Sequence, residues 1–226
     1  MTTDPQANDR RARGLRLVVV LLGLTVVSGM IDAVSFLGLN HVFTANMTGN
    51  VLVLGFAAAG AVDFSVPHTV TSLVCFLAGA VTGGRIAVRC CDARRVWVRV
   101  TLAVEAVLVG ASAVVAFAAP DAGGTLYAVI ALTAFAMGVR NTTVVKLRVP
   151  DLTTTVLTRT LASLAADSRA GGGSGERTPR RAAAVLAMPA GAVLGAWLVI
   201  HFGLGPPLLV AAGVTGLLAL VASERE

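Results

Sequence analysis

The sequence predicts an all-α integral membrane protein, with six transmembrane helices plus two re-entrant half-helices in two inverted repeats. Three observations predict it. First, the 226 residues are 56% hydrophobic and 13% charged, with a mean hydropathy of +0.82. A soluble chain carries about 25% charged residues. Second, the apolar residues come in continuous runs near the ~20 residues that span a bilayer core, not in the period-two alternation of a membrane barrel. Third, the basic residues behind the net charge of +6 fall between those runs. Basic loops of this kind mark the cytoplasmic side of a cytoplasmic (inner) membrane rather than a nucleic-acid surface.

The elements follow in order. Residues 1–14 form a polar tail containing Asp9, Arg10, Arg11 and Arg13. The apolar run Leu15–Leu39 is too long for a signal peptide and has no clean cleavage site, so it reads as a retained first helix. Val42–Val62 opens on the polar stretch Thr44–Asn50, which leaves only Val51–Val62 as continuous apolar helix. Pro67–Ala87, Val96–Ala119 and Thr125–Val145 are full-length runs. Leu152–Ala166 holds Thr153, Thr154, Thr155, Thr158, Arg159, Thr160 and Ser163, and again reads as a half-helix preceded by polar backbone. Ala182–His201 and Gly203–Ala222 complete the set before a short tail, 223–226.

Charge placement decides between spanning and re-entrant segments. With the Arg-rich N-terminus cytoplasmic and Val42–Val62 re-entrant, the loop holding Arg89, Arg94 and Arg95 returns to the cytoplasm, as the positive-inside rule requires. The linker Pro120–Gly124, without Lys or Arg, then faces outward. If Leu152–Ala166 is also re-entrant, Lys146, Arg148, Arg169, Arg177, Arg180 and Arg181 all stay inside. So do both termini and the Gly/Ser-rich, flexible loop 167–181.

The chain also repeats itself. Gly29-Met-Ile-Asp32 matches Gly138-Val-Arg-Asn141, Thr44–Asn50 matches Thr154–Thr160, and Ala78–Gly83 matches Ala190–Gly195, at offsets of 109, 110 and 112. The units are 15–119 and 120–222. Each has an odd number of full spans, so the two are inverted in the membrane, an arrangement common in transporters.

The stretch Gly29–Asn50, with its run Phe43-Thr-Ala-Asn-Met-Thr-Gly-Asn50, resembles the YoaK family, also called the DUF1275 domain. The resemblance continues at Ala136–Asn141 and Thr154–Thr160 and covers nearly the whole chain beyond the tail. It implies a bacterial multi-pass membrane protein and brings no assigned activity. Arg159 stands where the family's second motif reads Gly.

Four charges fall within apolar segments: Asp32, Glu105, Arg140 and Arg159. A charge at bilayer depth costs about 2.5 kcal/mol or more unless it is paired or hydrated. These four sum to zero, so they read either as an ion-pair network that fixes helix register or as a proton or solute pathway. By repeat position, Asp32 is expected within reach of Arg140 or of the loop 46–50. The half-helix openings are the second candidate. Asn46, Thr48 and Asn50, with Thr48 or Asn50 as N-cap, present free backbone N–H groups at a positive helix end. Thr154, Thr158 and Thr160 form the matching set. Together with Asp32, Arg140 and Asn141 these are the expected solute-binding residues.

Gly79/Gly83 and Gly191/Gly195 lie one turn apart and favour close helix packing, within one chain or between two copies. Pro189 suggests a kink. His41, His68 and His201 lie near segment ends, and Cys75, Cys90 and Cys91 have no ligand spacing, so no metal or cofactor is expected. No nucleophile triad, phosphate loop or paired catalytic carboxylate appears, which argues against an enzyme. The expected function is a small transporter or channel for a small polar or anionic solute, with its site between the repeats. The rivals are a membrane scaffold and, further behind, a membrane-embedded enzyme.

Overall fold

A computed structural model describes residues 5–61, 64–89, 94–120, 122–147, 157–168, 171–173 and 178–222, with side chains from residue 18 onward except 94 and 95. Eight α-helices are described: α1 Pro5–Gly38, α2 Met47–Ala58, α3 Val66–Arg89, α4 Arg94–Ala118, α5 Thr125–Leu147, α6 Leu157–Ala166, α7 Thr178–Phe202 and α8 Gly205–Val221. No strand occurs among the described residues.

Five helical stretches are long and apolar enough to cross a membrane: Val18–Gly38, Val66–Arg89, Val96–Ala118, Thr125–Leu147 and Thr178–Phe202. Helix α8 has 17 residues. At about 1.5 Å per residue that length is roughly 26 Å, just under the ~30 Å hydrocarbon thickness. Helices α2 and α6 have 12 and 10 residues, too short to span.

Several boundaries differ from the expected ones. Helix α1 runs back through the Arg-rich tail to Pro5, because Ala, Arg and Gln are good helix formers whatever their polarity. Its C-terminal end is a left-handed turn at Asn40 and His41, with φ of 57° and 59°. Asn tolerates that region better than most residues. Helix α2 starts at Met47, not Val51, and its N-cap is Asn46, which makes no side-chain cap bond. Thr48 and Asn50 therefore lie inside its first turn. The polar side chains concealed that turn from a reading by hydropathy. Helix α6 starts at Leu157, so Thr158 and Thr160 are helical, while Thr154 lies outside the described residues.

Helix α1 packs on α7 and α8, and α5 packs on α3 and α4. Helix α4 packs on α8, α2 on α3, and α6 on α7. The tightest interfaces run over glycine. A Cβ on Gly29 would strike the carbonyl of Met188, and one on Gly191 or Gly195 the carbonyl of Val26 or Met30. On the other side, a Cβ on Gly138 would strike the carbonyl of Phe76, and one on Gly79 or Gly83 the carbonyl of Phe135 or Val139. No side chain larger than hydrogen fits at such backbone-to-backbone approaches, which is how small residues drive helix packing in lipid.

The outer faces are apolar. Val74, Leu77 and Val81 on α3, and Leu186, Val193 and Ile200 on α7, are exposed. Outward hydrophobes of this kind suit lipid tails. The interior has two apolar clusters. One gathers Val27, Met30, Ile31, Val109, Met137, Leu208 and Ala212. The other gathers Leu21, Leu24, Leu102, Val144, Ala184 and Leu218. The level between them, near the middle of α1, α4, α5 and α8, is polar.

Candidate functional site

The polar level is built around Arg140 on α5. On α5 only the Met137 sulfur lies against the guanidinium, which otherwise reaches across helices for partners. Nη1 lies 3.1 Å from Glu105 Oε1 on α4, with the two side chains 2% and 0% exposed. Nη1 also donates to the Leu24 carbonyl on α1 at 3.2 Å, and Nη2 to Ser28 Oγ at 2.7 Å. The Met137 sulfur lies 2.8 Å from Nη2. Thr215 on α8 places its hydroxyl 3.4 Å from Glu105 Oε1, and the same hydroxyl donates to the Ala211 carbonyl at 2.9 Å. One ion pair thus ties α1, α4, α5 and α8 together. Arg140 Nε and Glu105 Oε2 have no hydrogen-bond partner. Burial at this depth makes the pair strongly interdependent, since either charge alone would be uncompensated.

Of the two partners expected for Asp32, Arg140 or the loop 46–50, Asp32 meets the loop side and not the guanidinium. Arg140 takes Glu105, and Asp32 turns to the loop between α1 and α2. Its Oδ1 accepts the Ala45 amide at 2.9 Å, with the amides of Thr44 and Asn46 beside it. The loop bends back over α1 because Asn50 holds it. Asn50 Oδ1 accepts the Phe43 amide at 2.9 Å, and Nδ2 donates to the Phe43 carbonyl at 2.6 Å and to Ser72 Oγ at 3.2 Å. Ser72 Oγ donates to the same carbonyl at 2.6 Å. An amide side chain that offers both donor and acceptor copies one rung of a β-ladder here. Asn50 is thereby committed to the loop and is closed to a solute.

Two cavities flank this loop. The larger, about 720 Å³, is lined by Asp32, Asn46, Phe36, Phe43, Met188 and Leu157, among others on α1 and α7. The smaller, about 440 Å³, is lined by Asn46, Thr48, Asn141, Thr142, Phe76 and Lys146. Asn46 borders both. Leu157, the first residue of α6, borders the larger. The start of each short helix therefore meets the cavity that contains Asp32.

The expected site residues divide into three groups. Asp32 and Asn46 meet on the larger cavity, and Asn46, Thr48 and Asn141 on the smaller. Arg140 and Glu105 form the buried pair and border neither cavity. Thr158 and Arg159 lie on the exposed face of α6, away from the buried charges, while Thr160 is buried. Ser28, Ser72, Thr215 and Lys146 were not anticipated. Ser28 lies one turn before Asp32 on α1, and Thr215 lies 110 positions after Glu105, at the repeat offset. Both signals were present in the sequence. Among the described residues, no three His, Cys, Asp or Glu side chains gather in a metal-binding cluster.

Comparison with known proteins adds the lineage. Residues 20–221 match the family described as "Protein of unknown function (DUF1275)". The chain is 33% identical over 147 residues to the UPF0700 transmembrane protein YoaK of Bacillus subtilis (strain 168). The aligned stretch covers 64% of this chain and 64% of that protein, so the chain matches under two thirds of the relative's length. No solved structure matches. The long motif around Asp32 and Asn46 and a family match over residues 20–221 agree, and the chain is a multi-pass membrane protein of the DUF1275 family.

Proposed function

We propose that this protein is a small transporter or channel of the cytoplasmic membrane, built from two inverted repeats with its solute site between them. The observation that carries the reading is the pair of cavities meeting at Asn46. A dry, fully packed centre would favour a scaffold. A passage for solutes needs polar groups reached from each side and a thin partition between, and in this reading Thr44–Asn46 with the start of α2 serve as that partition.

The repeat supports the same reading. Interchanging α1–α4 with α5–α8 maps the helix pairings onto themselves: α1 on α7 becomes α5 on α3, α1 on α8 becomes α5 on α4, and α2 on α3 becomes α6 on α7. The glycine contacts obey the same interchange, since Gly29 against Met188 corresponds to Gly138 against Phe76. So do the cavity walls, in which Asp32, Phe36 and Met188 correspond to Asn141, Val145 and Phe76. With α8 as the sixth span and α2 and α6 re-entrant, three crossings per unit invert one unit against the other. Both termini are then cytoplasmic, and the larger cavity belongs to the outer half and the smaller to the inner half. No bond-making step is assigned to any residue, so the reading is non-enzymatic.

Two experiments test it. Purified protein in vesicles, screened for uptake and efflux of a broad solute set, is expected to give flux above protein-free vesicles for at least one class. A complete blank would favour the scaffold. In a cysteine-free background, Asp63→Cys is expected to react with an impermeant maleimide from outside the cell. Reaction only from the cytoplasm would mean that the segment 42–62 spans, and the inverted arrangement would be abandoned.

A further inference from the structure

We propose that the larger cavity binds a hydrophobic organic cation, with Asp32 as its counter-charge, and that the cation and a proton compete for that carboxylate. The inference rests on the transport reading for its biological use, but the binding site stands on its own geometry.

Asp32 is the only ionisable residue among the described residues lining the cavity. Its side chain is 7% exposed, and one oxygen is engaged by the Ala45 amide. Apart from Asn46, the rest of the wall is apolar, with Phe36, Phe43, Leu157, Val185, Met188 and Val193 among it. Phe36 and Phe43 are stacked with ring centroids 5.0 Å apart and offer π-faces to a cation. A volume of about 720 Å³ lies in the range of small-molecule sites.

Other ligand classes fit poorly. A hard metal ion wants about six oxygen ligands, and this wall offers the Asp32 carboxylate and the Asn46 side chain. An anion finds no cationic side chain on the wall, and the backbone amides leading into α2 are already turned to Asp32. Arg140, on which the expectation of an anionic solute rested, is closed by Glu105, Ser28 and the Leu24 carbonyl and does not reach the wall. A cation with an apolar surface gains twice, by burying carbon and by neutralising Asp32.

The charged groups around Asp32 are few. From α5 comes Arg140, already paired with Glu105 of α4. The loop contributes backbone amides, and α7 and α6 contribute only uncharged wall residues. Glu105 and Arg140 cancel, which leaves Asp32 to be balanced by a proton or by the bound cation. Where the carboxyl is protonated, the entering cation displaces that proton to solvent, one for one, and the site stays neutral.

The test uses the purified full-length chain in detergent and tetraphenylphosphonium as the probe, with tetraphenylborate as the comparator of opposite charge. Equilibrium dialysis at about pH 8 is expected to give saturable phosphonium binding that weakens as the pH is lowered and the carboxyl takes up its proton, reaching about tenfold one pH unit below the carboxyl's pKa. Asp32→Asn should weaken it similarly at the higher pH and abolish the pH dependence. Should that variant fail to fold, the wild type still decides: a hydrophobic carbodiimide should label Asp32, and saturating phosphonium should block the label. Equal binding of phosphonium and borate, or labelling of Asp32 indifferent to phosphonium, would overturn the proposal and mark the cavity as a lipid crevice. Flux of some solute without phosphonium binding would overturn the cation site and leave transport standing. Phosphonium binding with no flux of any solute would do the reverse.

Discussion

The α1–α7 and α3–α5 interfaces have the same construction and different surroundings. In both, three glycines let one helix backbone rest on the other, Gly29, Gly191 and Gly195 in the first and Gly138, Gly79 and Gly83 in the second. Beside the first stands Asp32, facing the larger cavity. Beside the second stands Asn141, facing the smaller, while its neighbour Arg140 turns inward to Glu105. The corresponding inward position on α1 is Ile31, a core residue. Packing is thus shared between the two interfaces, whereas charge is not. Backbone approach leaves no freedom in side-chain size, so both interfaces keep glycine. At the polar positions the two units differ, and the charge of Arg140 is balanced by Glu105.

The largest expected effect comes from breaking that balance. Arg140→Gln or Glu105→Gln strands a buried charge, and each is expected to cost about 3–5 kcal/mol. The double variant Arg140→Met/Glu105→Leu should lose clearly less than the sum. Thermal unfolding in detergent measures this. Strictly additive losses would mean that the two side chains do not act as a pair. The same measurement on Asp32→Asn combined with Arg140→Gln is expected to be nearly additive, because Asp32 is held by the loop amide rather than by the guanidinium.

Next come the two glycine interfaces. Gly191→Val and Gly79→Val each drive a side chain into a facing carbonyl. Each should cost about 1–3 kcal/mol or prevent folding, as overpacking does. The comparison predicts matching losses. A large loss at one position and a negligible loss at the other would refute the equivalence of the interfaces and weaken the repeat reading with it.

These expectations also mark what the sequence disclosed. The five long spans were legible because a bilayer demands continuous apolar length, and the glycine pairs because a spacing of four puts them on one helix face. The intramembrane charges Asp32, Glu105 and Arg140 stood out against apolar neighbours. Their partners did not. Repeat matching sets Asp32 against Asn141 and so informs on depth, but consecutive helical residues point about 100° apart. Arg140 therefore faces α1 and α4 while Asn141 faces a cavity, a rotation that depends on tertiary packing. Arg159 shows the converse, a charge in a short apolar segment that simply faces outward. The start of α2 was missed because Thr48 and Asn50 look like loop residues. Only the contact of Asn50 with Phe43 and Ser72 explains their presence in a helix.

That contact supplies a third prediction. Position 50 corresponds to Thr160 in the other unit, so Asn50→Thr tests whether the two short helices are interchangeable. A Thr hydroxyl can both donate and accept, but it is a single atom one bond nearer the backbone, where the amide meets the Phe43 N–H and carbonyl with two separate atoms. A loss of about 1–3 kcal/mol is expected if the Phe43 amide is left unsatisfied, while its carbonyl keeps the Ser72 hydroxyl. The loop should also loosen, read as faster maleimide reaction of Thr48→Cys in that background. Unchanged stability and reactivity would show that the loop is held by something else.

The smallest effect is expected where helices meet without touching backbones. On α4 and α8, a Cβ added to Gly110 would lie 3.8 Å from the Ala212 Cβ, and one added to Gly216 would lie 3.9 Å from the Ala106 Cβ. Both distances are ordinary van der Waals contact, so neither helix has to move. Replacing glycine by alanine within a helix favours the helical state by up to about 1 kcal/mol, because the unfolded chain loses freedom. Gly110→Ala and Gly216→Ala should therefore leave the unfolding temperature unchanged or raise it slightly, whereas Gly29→Ala, with the Met188 carbonyl in its way, should lower it. If Gly110→Ala were as damaging as Gly29→Ala, α4 and α8 would have to close more tightly than they do here. The distinction between two rigid glycine seams and a looser central contact would then fail. If the order holds, the α4–α8 contact around Glu105 and Thr215 is the part of the core with room to shift, and it adjoins the buried Arg140–Glu105 ion pair.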